Sequence, residues 1–283
     1  MKFAILIITY SSPDQTRRLI ESMNNGDFDF YIHLDKKIDI VTHQALFDIP
    51  NVYFVQDRID IKWAGFSNVE AVLSGIRFIK NSGKRYKFIN LITGQDYPIK
   101  SAGFISNFLK SNIGKEFIYY KHFDTEWSEA NARIEKYHFT DFQFLSKYKI
   151  EWLVNLILPK RKFNFNLELV GKETFWTLSQ ECAEYVLEYL ESNKALKRFL
   201  KFTWGSDEFI FQTIIMSSPY KENVINKNYR FINWPEKGSR PNYFVTSDFE
   251  RIINSDCIFG RKFEINIDKE IINLLDQQNG TYN

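Results

Sequence analysis

Cysteine is scarce in this chain. Only Cys182 and Cys257 occur in 283 residues, far apart and in no metal-ligand spacing. That excludes a disulfide framework and reads as two reduced thiols of a cytoplasmic protein. The four histidines show no paired ligand spacing, so no zinc signature is present. Neither GxGxxG nor GxxxxGK[ST] occurs, which argues against a dinucleotide fold and a P-loop. An excess of one charge is missing too. Lys and Arg number 37 against 35 Asp and Glu, so bulk electrostatics give no reason to expect nucleic acid as a partner. No apolar run is long enough for a membrane-spanning helix. The opening MKFAILIITYSS has a short apolar part and no small-residue cleavage pattern, so it reads as a first buried strand rather than a signal peptide. No internal repeat, linker or low-complexity segment stands out.

Apolar residues are plentiful at 44%, and aromatics reach 17%, enough for a sizeable core and against disorder over most of the length. The apolar run 3–9, the helix start Ser12-Pro13-Asp14, the run 30–34 and the segment 51–55 alternate strand and helix signals. An amphipathic helix over 67–81, with Val69, Val72, Ile76 and Ile79 on one face, leads to a strand at 86–92. Short helices are expected at 42–47 and 102–109, and a strand at 116–120. This alternation predicts an α/β fold with a mostly parallel central sheet and helices on both faces. Residues 121–167 lack a clean period and read as loops and short helices. Further strands are expected at 170–178, 229–234 and 259–267, helices at 179–192 and 247–254, and a frayed polar tail at 276–283. One domain, 1–283, is expected.

Ligands of open parallel sheets bind at the carboxyl ends of the strands. That rule selects the rim segments 9–12, 35–37, 57–63 and 93–98, and with them Thr9, Asp35, Trp63, Gln95 and Asp96. Asp35 can bond a ribose or base, or be a solvated loop acid. The lone Asp-x-Asp, Asp27-Phe28-Asp29, precedes a strand at the amino end and reads as a turn, so no metal ligand is assigned. Arg240, Arg261 and Lys262 are candidate cations for a phosphate, or surface charges. Trp234 and Trp63 are either core residues or platforms for a sugar ring. In Trp204–Ile214, Ser206 suits a helix N-cap with Asp207 and Glu208 in the first turn. Such a carboxylate suits both capping and general-base work.

Several stretches, taken in order, are familiar: FYIHLDKK at 30–37, NVYFV at 51–55, WAGFS at 63–67 and FINLITGQDYPIKS at 88–101. FWTLS at 175–179, DEFIFQTI at 207–214, RFINW at 230–234, SRPNYFVTSDF at 239–249 and FGRKFE at 259–264 follow. With them the chain resembles the core-2/I-branching β-1,6-N-acetylglucosaminyltransferases and the peptide O-xylosyltransferases, which form one family. The resemblance runs from residue 3 to about 267. It implies a GT-A-type glycosyltransferase fold, inversion of configuration and no metal or other cofactor. It implies a nucleotide-binding half over 1–100 and an acceptor and catalytic half over 101–275.

By the same resemblance Glu208 is the base, within Gly-Ser-Asp-Glu where the branching enzymes have Ser-Pro-Asp-Glu. Asp96 is expected near the donor sugar and is the rival for the catalytic role. Donor binding falls to Thr9, Asp35, Trp63, Arg240, Arg261 and Lys262, the last three at the diphosphate. Acceptor binding falls to Trp234, Gln95, Arg133 and Lys136. The expected partners are a UDP-sugar, with GlcNAc favoured and xylose next, and an oligosaccharide or lipid-linked glycan acceptor. Golgi members carry a membrane anchor and several disulfides. The lack of both here suggests a bacterial cytoplasmic enzyme of surface polysaccharide synthesis. A nucleotide-sugar hydrolase and a non-catalytic glycan-binding module on the same fold remain open. Residues 147–163 mix Lys and Arg with Trp, Leu and Phe, and read either as an interfacial helix giving peripheral membrane contact or as core.

Overall fold

The strand Phe3–Thr9 is buried at every residue, as its unbroken apolar run requires. In the computed structural model, which describes residues 1–236, 238 and 240–280, it is the middle of a parallel sheet. The chain divides into two compact units, each built from separated segments. The first holds Met1–Gln56, Arg85–Gly114 and Asn228–Asn283, and the second Asp57–Lys84 and Lys115–Lys227. The last fifth of the sequence returns to the first unit.

In the first unit, Phe3–Thr9 pairs in parallel with Phe28–Leu34 on one side and Ile89–Thr93 on the other. Phe28–Leu34 also pairs in parallel with Val52–Phe54. The register sets Thr9 opposite Leu34 and Ile8 opposite Thr93, so the carboxyl ends lie level. The Asp35 N–H donates to Thr9 O at 2.8 Å and continues the ladder into the rim. A helix, Pro13–Met23, follows the first strand. Ser12 caps it and Pro13 occupies its first position, where a missing N–H costs nothing.

The Asp27-Phe28-Asp29 stretch is not a turn; the strand begins within it. Asp29 accepts from Lys2 Nζ at 2.8 Å and Tyr86 OH at 2.7 Å. Asp27 bonds Ser106 Oγ and accepts from Lys110 Nζ at 2.8 Å, which holds its carboxyl below the ordinary carboxylate range. The expected helix at 42–47 is a 3-10 turn, Ile40–Leu46, started by Asp39 accepting from Val41 N–H at 3.1 Å. A small second sheet sets Phe259–Arg261 between Arg230–Ile232, in parallel, and Asp96–Pro98, antiparallel. Its strands are shorter than expected. Tyr229 sits at φ 56°, outside strand geometry, and the Phe263 N–H leaves the ladder to bond Gln95 O at 2.9 Å.

The tail does not fray at 276. The helix Lys269–Asn279 continues through it, and buried Asp276 accepts from Tyr97 OH and Arg18 Nε, each at 2.7 Å. Residues 281–283, which complete the expected tail, lie outside the described residues.

In the second unit the amphipathic helix Phe66–Asn81 buries Val69, Val72, Ile76 and Ile79, as its spacing predicts. Its first turn is capped from a distant segment. The Asp141 carboxylate accepts from Ser67 Oγ at 2.6 Å and Ser67 N–H at 3.2 Å. Helix Gln180–Ser192 starts at Ser179 as expected. Glu116 sits against that start, accepting from Ser179 N–H at 2.7 Å and Oγ at 2.5 Å. Burial raises its carboxyl to about 7.

Strand Glu116–Ile118 runs parallel to Val224–Asn226 and antiparallel to Thr177–Leu178. Tyr120–His122 is antiparallel to Val170–Lys172. The strand expected over 170–178 is therefore two. Between them Thr174 Oγ1 turns out to bond Asp207, and Gln212 holds Glu173 O. The 247–254 helix is a 3-10 turn, Thr246–Asp248, continued by Phe249–Ile253, with Asp248 accepting at its start. Parallel strands in the first unit and helices in both give the expected α/β class.

Candidate active site

The second unit presents an acid pair on a tight turn. Gly205 at φ 62° opens it, a left-handed conformation that favours glycine, and a Cβ there would crowd Arg133 Nη1 at 2.8 Å. Ser206–Glu208 form one 3-10 turn. Phe209, at φ −142°, interrupts it before the helix Ile210–Met216. The acids are thus not in the first turn of that helix, and Ser206 does not cap it. Its Oγ is buried with no hydrogen bond among the described residues. Gly205 N–H donates to Ala64 O at 2.8 Å, which ties the turn to the Trp63–Ser67 loop.

The two carboxylates have different surroundings. Asp207 is buried; Oδ2 accepts from Asn68 Nδ2 at 2.6 Å and Thr174 Oγ1 at 2.9 Å, and Oδ1 has no partner among the described residues. Burial, helped by the neighbouring Glu208, raises its carboxyl to about 6. It anchors the turn rather than serving as the helix-end charge the sequence suggested. Glu208 keeps 30% of its side chain exposed. Its Oε2 accepts from Arg133 Nη1 at 2.5 Å. The Arg133 guanidinium lies 4.5 Å from the Trp127 ring centroid and 4.4 Å from that of Trp204. Trp204 in turn meets exposed Trp63 edge to face, 5.4 Å between centroids. Two of the sequence candidates, Arg133 and Trp63, therefore gather round Glu208 and Trp204. Lys136 is exposed just beyond the short helix Asn131–Glu135, with its backbone carbonyl held by Arg161.

The first unit gathers a second group on its strand-end rim. Asp96 is buried, and its Oδ2 accepts from Thr93 N–H and Oγ1, each at 2.5 Å. Arg261 Nη1 bonds the same Asp96 oxygen at 3.2 Å and also reaches Thr93 Oγ1. Lys262 Nζ sits 4.6 Å from the Tyr243 ring centroid. Gln95 Oε1 accepts from Tyr10 OH at 3.1 Å, and Nε2 donates to Glu264 at 3.0 Å. Buried Thr9 lies beneath Gly94, where a Cβ would come 2.1 Å from its Oγ1, so glycine lets the loop cross the strand end. Asp35 accepts from Lys37 N–H at 2.9 Å and Lys37 Nζ at 2.8 Å, closing its own turn. Trp234 is half exposed after the Arg230–Ile232 strand. Arg240 is exposed. Ser239, which opens the SRPNYFVTSDF stretch, lies outside the described residues.

The rim joins Asp96, Gln95 and Arg261 in one set, with Thr9 below. The Asp96 carboxylate holds Thr93 and Arg261 through Oδ2, while its Oδ1 is buried with no hydrogen-bond partner among the described residues. Sequence reasoning missed Gln15, whose Nε2 donates to Gly94 O at 2.7 Å and Phe263 O at 3.1 Å. Its Oε1 accepts from Ile265 N–H at 2.9 Å, so one buried amide locks the 94 loop to the 263 segment. It also missed Trp127, Asn68, Thr174 and Asp141. A buried Gln in the first turn of a helix leaves only a faint signal, and Asn68, Thr174 and Asp141 leave none, since their partners are far off in sequence. Among the described residues no group of three or more His, Cys, Asp or Glu could hold a metal ion. No helix among them is long and apolar enough to cross a membrane.

The sequence model of the Core-2/I-Branching enzyme family matches residues 3–254. Xylosyltransferase 2 of Rattus norvegicus is similar at 25% identity, covering 96% of this chain and 33% of that protein. Xylosyltransferase 1 of Homo sapiens is also 25% identical, over 96% of this chain and 30% of its own length. The chain thus spans about a third of these relatives. Among solved structures, a galactosyltransferase, LgtC, in complex with donor and acceptor sugar analogs is similar over 100% of both chains, with a TM-score of 0.46 and 9% identity.

Proposed function

The chain belongs to the Core-2/I-Branching enzyme family, and we propose that it transfers a sugar from a UDP-sugar to a glycan hydroxyl. The reaction is a single displacement. Glu208 takes the proton from the acceptor hydroxyl as that oxygen bonds to the anomeric carbon. The bond from that carbon to the diphosphate oxygen breaks on the opposite face, the electron pair leaves with UDP, and the configuration inverts. Arg261 and Lys262, with Arg240, meet the charge growing on the diphosphate without a metal, and the Asp96 carboxylate keeps Arg261 in place.

The observation that carries this reading is Glu208 itself: a partly exposed carboxylate on a turn anchored by Asp207 and held in one direction by Arg133. GlcNAc and xylose are the donor sugars to try first, the second because the relatives are xylosyltransferases. The acceptor is an oligosaccharide or a lipid-linked glycan, and the setting is bacterial surface polysaccharide synthesis in the cytoplasm. A thermal-shift screen of UDP-GlcNAc, UDP-xylose, UDP-galactose, UDP-glucose and UDP, with and without EDTA, tests donor and metal together. Stabilisation by UDP or a UDP-sugar that survives EDTA is expected. No stabilisation by any of them would contradict the reading.

Exposed Trp63 and Trp234 favour one second reading, a glycan-binding module without catalysis. Such a module would bind oligosaccharide and ignore UDP. A hydrolase would release free sugar whether or not an acceptor is present.

A further inference from the structure

The helix Lys147–Ile157 has no buried residue along its eleven positions. One side is held to its own unit. Asn155 exchanges hydrogen bonds of 2.8 Å with both backbone groups of Tyr137, and Glu151 accepts from Phe139 N–H at 2.8 Å. Glu151 and Asn155 are four apart and share that side. The outward side is apolar and bare apart from Lys149. Trp152 and Leu156, four apart, are 67% and 65% exposed, and Ile157 and Leu153 stand beside them at 68% and 46%; Tyr148, 76% exposed, lies toward the edge shared with Glu151 and Asn155. Leu145, just before the helix, is 93% exposed. Contiguous apolar exposure of this kind marks a surface that meets something.

Charge identifies the occupant. Lys147 and Lys149 lie in the first turn and Lys162 follows the last, while Lys160 is paired with Glu135 at 2.5 Å. The one acid of the helix, Glu151, points to the held side. A second copy of the chain docked through this face would meet these lysines with no acid of the helix to pair them, since Glu151 is on the held side. An anionic lipid surface neutralises these lysines while their stems lie along it. Trp and Tyr on the apolar side suit the headgroup boundary, where one end of the ring is apolar and the other wet. We infer that Lys147–Ile157, with Leu145 and the flanking lysines, docks on an anionic lipid bilayer. The helix lies in the plane of the surface, with Trp152, Leu153, Leu156 and Ile157 entering the acyl boundary. Its length, about 16 Å, is too short to span and sufficient to lie flat.

The inference does not rest on the transfer reaction, and its test uses no sugar donor. The full chain is sedimented with phosphatidylglycerol–phosphatidylcholine vesicles and with phosphatidylcholine vesicles, at low and high salt. Binding at least about tenfold tighter to the anionic vesicles, weakened by salt, is expected. The Trp152→Glu/Leu156→Glu pair should lose about tenfold or more of that binding with an unchanged melting temperature, since both side chains face away from the fold. Lys149→Glu/Lys162→Glu should remove most of the preference for anionic lipid. Equal or absent binding to both vesicle types overturns the inference, and so does unchanged binding by the first pair. A concentration-dependent dimer without vesicles, abolished by Trp152→Glu/Leu156→Glu, assigns the face to a second copy and also overturns it.

Discussion

Arg133 and Glu208 form an ion pair, Nη1 to Oε2 at 2.5 Å, and the guanidinium lies over the rings of both Trp127 and Trp204. The two rings fix the plane of the guanidinium, and the guanidinium fixes the direction of the carboxylate. Only arginine offers both a flat face for stacking and a charged edge for a carboxylate. Arg133 therefore positions the Glu208 carboxylate, the base of the proposed reaction.

Replacing Arg133 by Lys keeps the charge and loses the plane. About a tenfold fall in kcat is expected, with KM for the donor little changed, since cation–π contacts of this kind are worth about 0.5–2 kcal/mol. Arg133→Ala should fall further. Steady-state kinetics on both variants checks the order. Equal kcat in wild type and Arg133→Lys would show that the ring contacts of Arg133 do not position Glu208.

Asp207 adds a titration beside the base. Its folded carboxyl, pushed up to about 6 by burial and by Glu208, loses its proton below neutral pH. Ionising Asp207 adds a negative charge beside Glu208, so the rate should depend on pH near 6 through Asp207. Asp207→Asn keeps an oxygen for Asn68 and Thr174 and removes that titration. The rate profile near pH 6 should flatten, and the rate at pH 8 should fall. A profile identical to wild type would rule the coupling out.

Glu116 gives a stability test away from the site. Its folded carboxyl is raised to about 7 from 4.5. Between those values the folded state binds more protons than the unfolded one, so stability falls as pH rises. The penalty is absent below about pH 4.5 and complete above about pH 7, where it amounts to a few kcal/mol. Glu116→Gln resembles the protonated form and should lose this slope, gaining on wild type from pH 5 to pH 8. Thermal melts across that range measure it. A constant difference between the two proteins would mean that Glu116 titrates normally.

At the donor side, Arg261→Ala removes a cation that Asp96 and Thr93 hold in place. A hydrogen bond to a charged group contributes about 1.5–3 kcal/mol, so UDP affinity should drop roughly 10- to 100-fold. Asp96→Asn should weaken UDP binding in the same direction but by less, because Arg261 stays and only its anchor changes. Calorimetry with UDP orders the three proteins. A larger loss in Asp96→Asn than in Arg261→Ala would reverse the roles.

The parts of the fold set by local pattern were legible in the sequence. The FAILIIT run, the Ser12-Pro13 helix start and the 3.6-residue period of the Phe66–Asn81 helix all announce themselves within a few residues. What was not legible depends on contacts between distant segments. Asp141 caps a helix that begins at residue 66, and Thr174 and Asn68 hold Asp207 from separate elements. The same contacts explain the misread turn at Ser206–Glu208. A Ser-Asp-Glu run looks like a helix start, but Asp207 is pulled to Asn68 and Thr174, and the helix waits until Ile210. Gln15 shows the other limit: nothing in a helix's first turn tells that its amide will bond three backbone groups far along the chain.

The most direct measurement is sugar transfer from the donor that the thermal-shift screen selects, in wild type and Glu208→Gln, with UDP affinity measured alongside. With Glu208 as the base, transfer should fall by about 10²–10⁴-fold while UDP binding and melting temperature stay as in wild type. Transfer by Glu208→Gln at the wild-type rate would contradict the assignment.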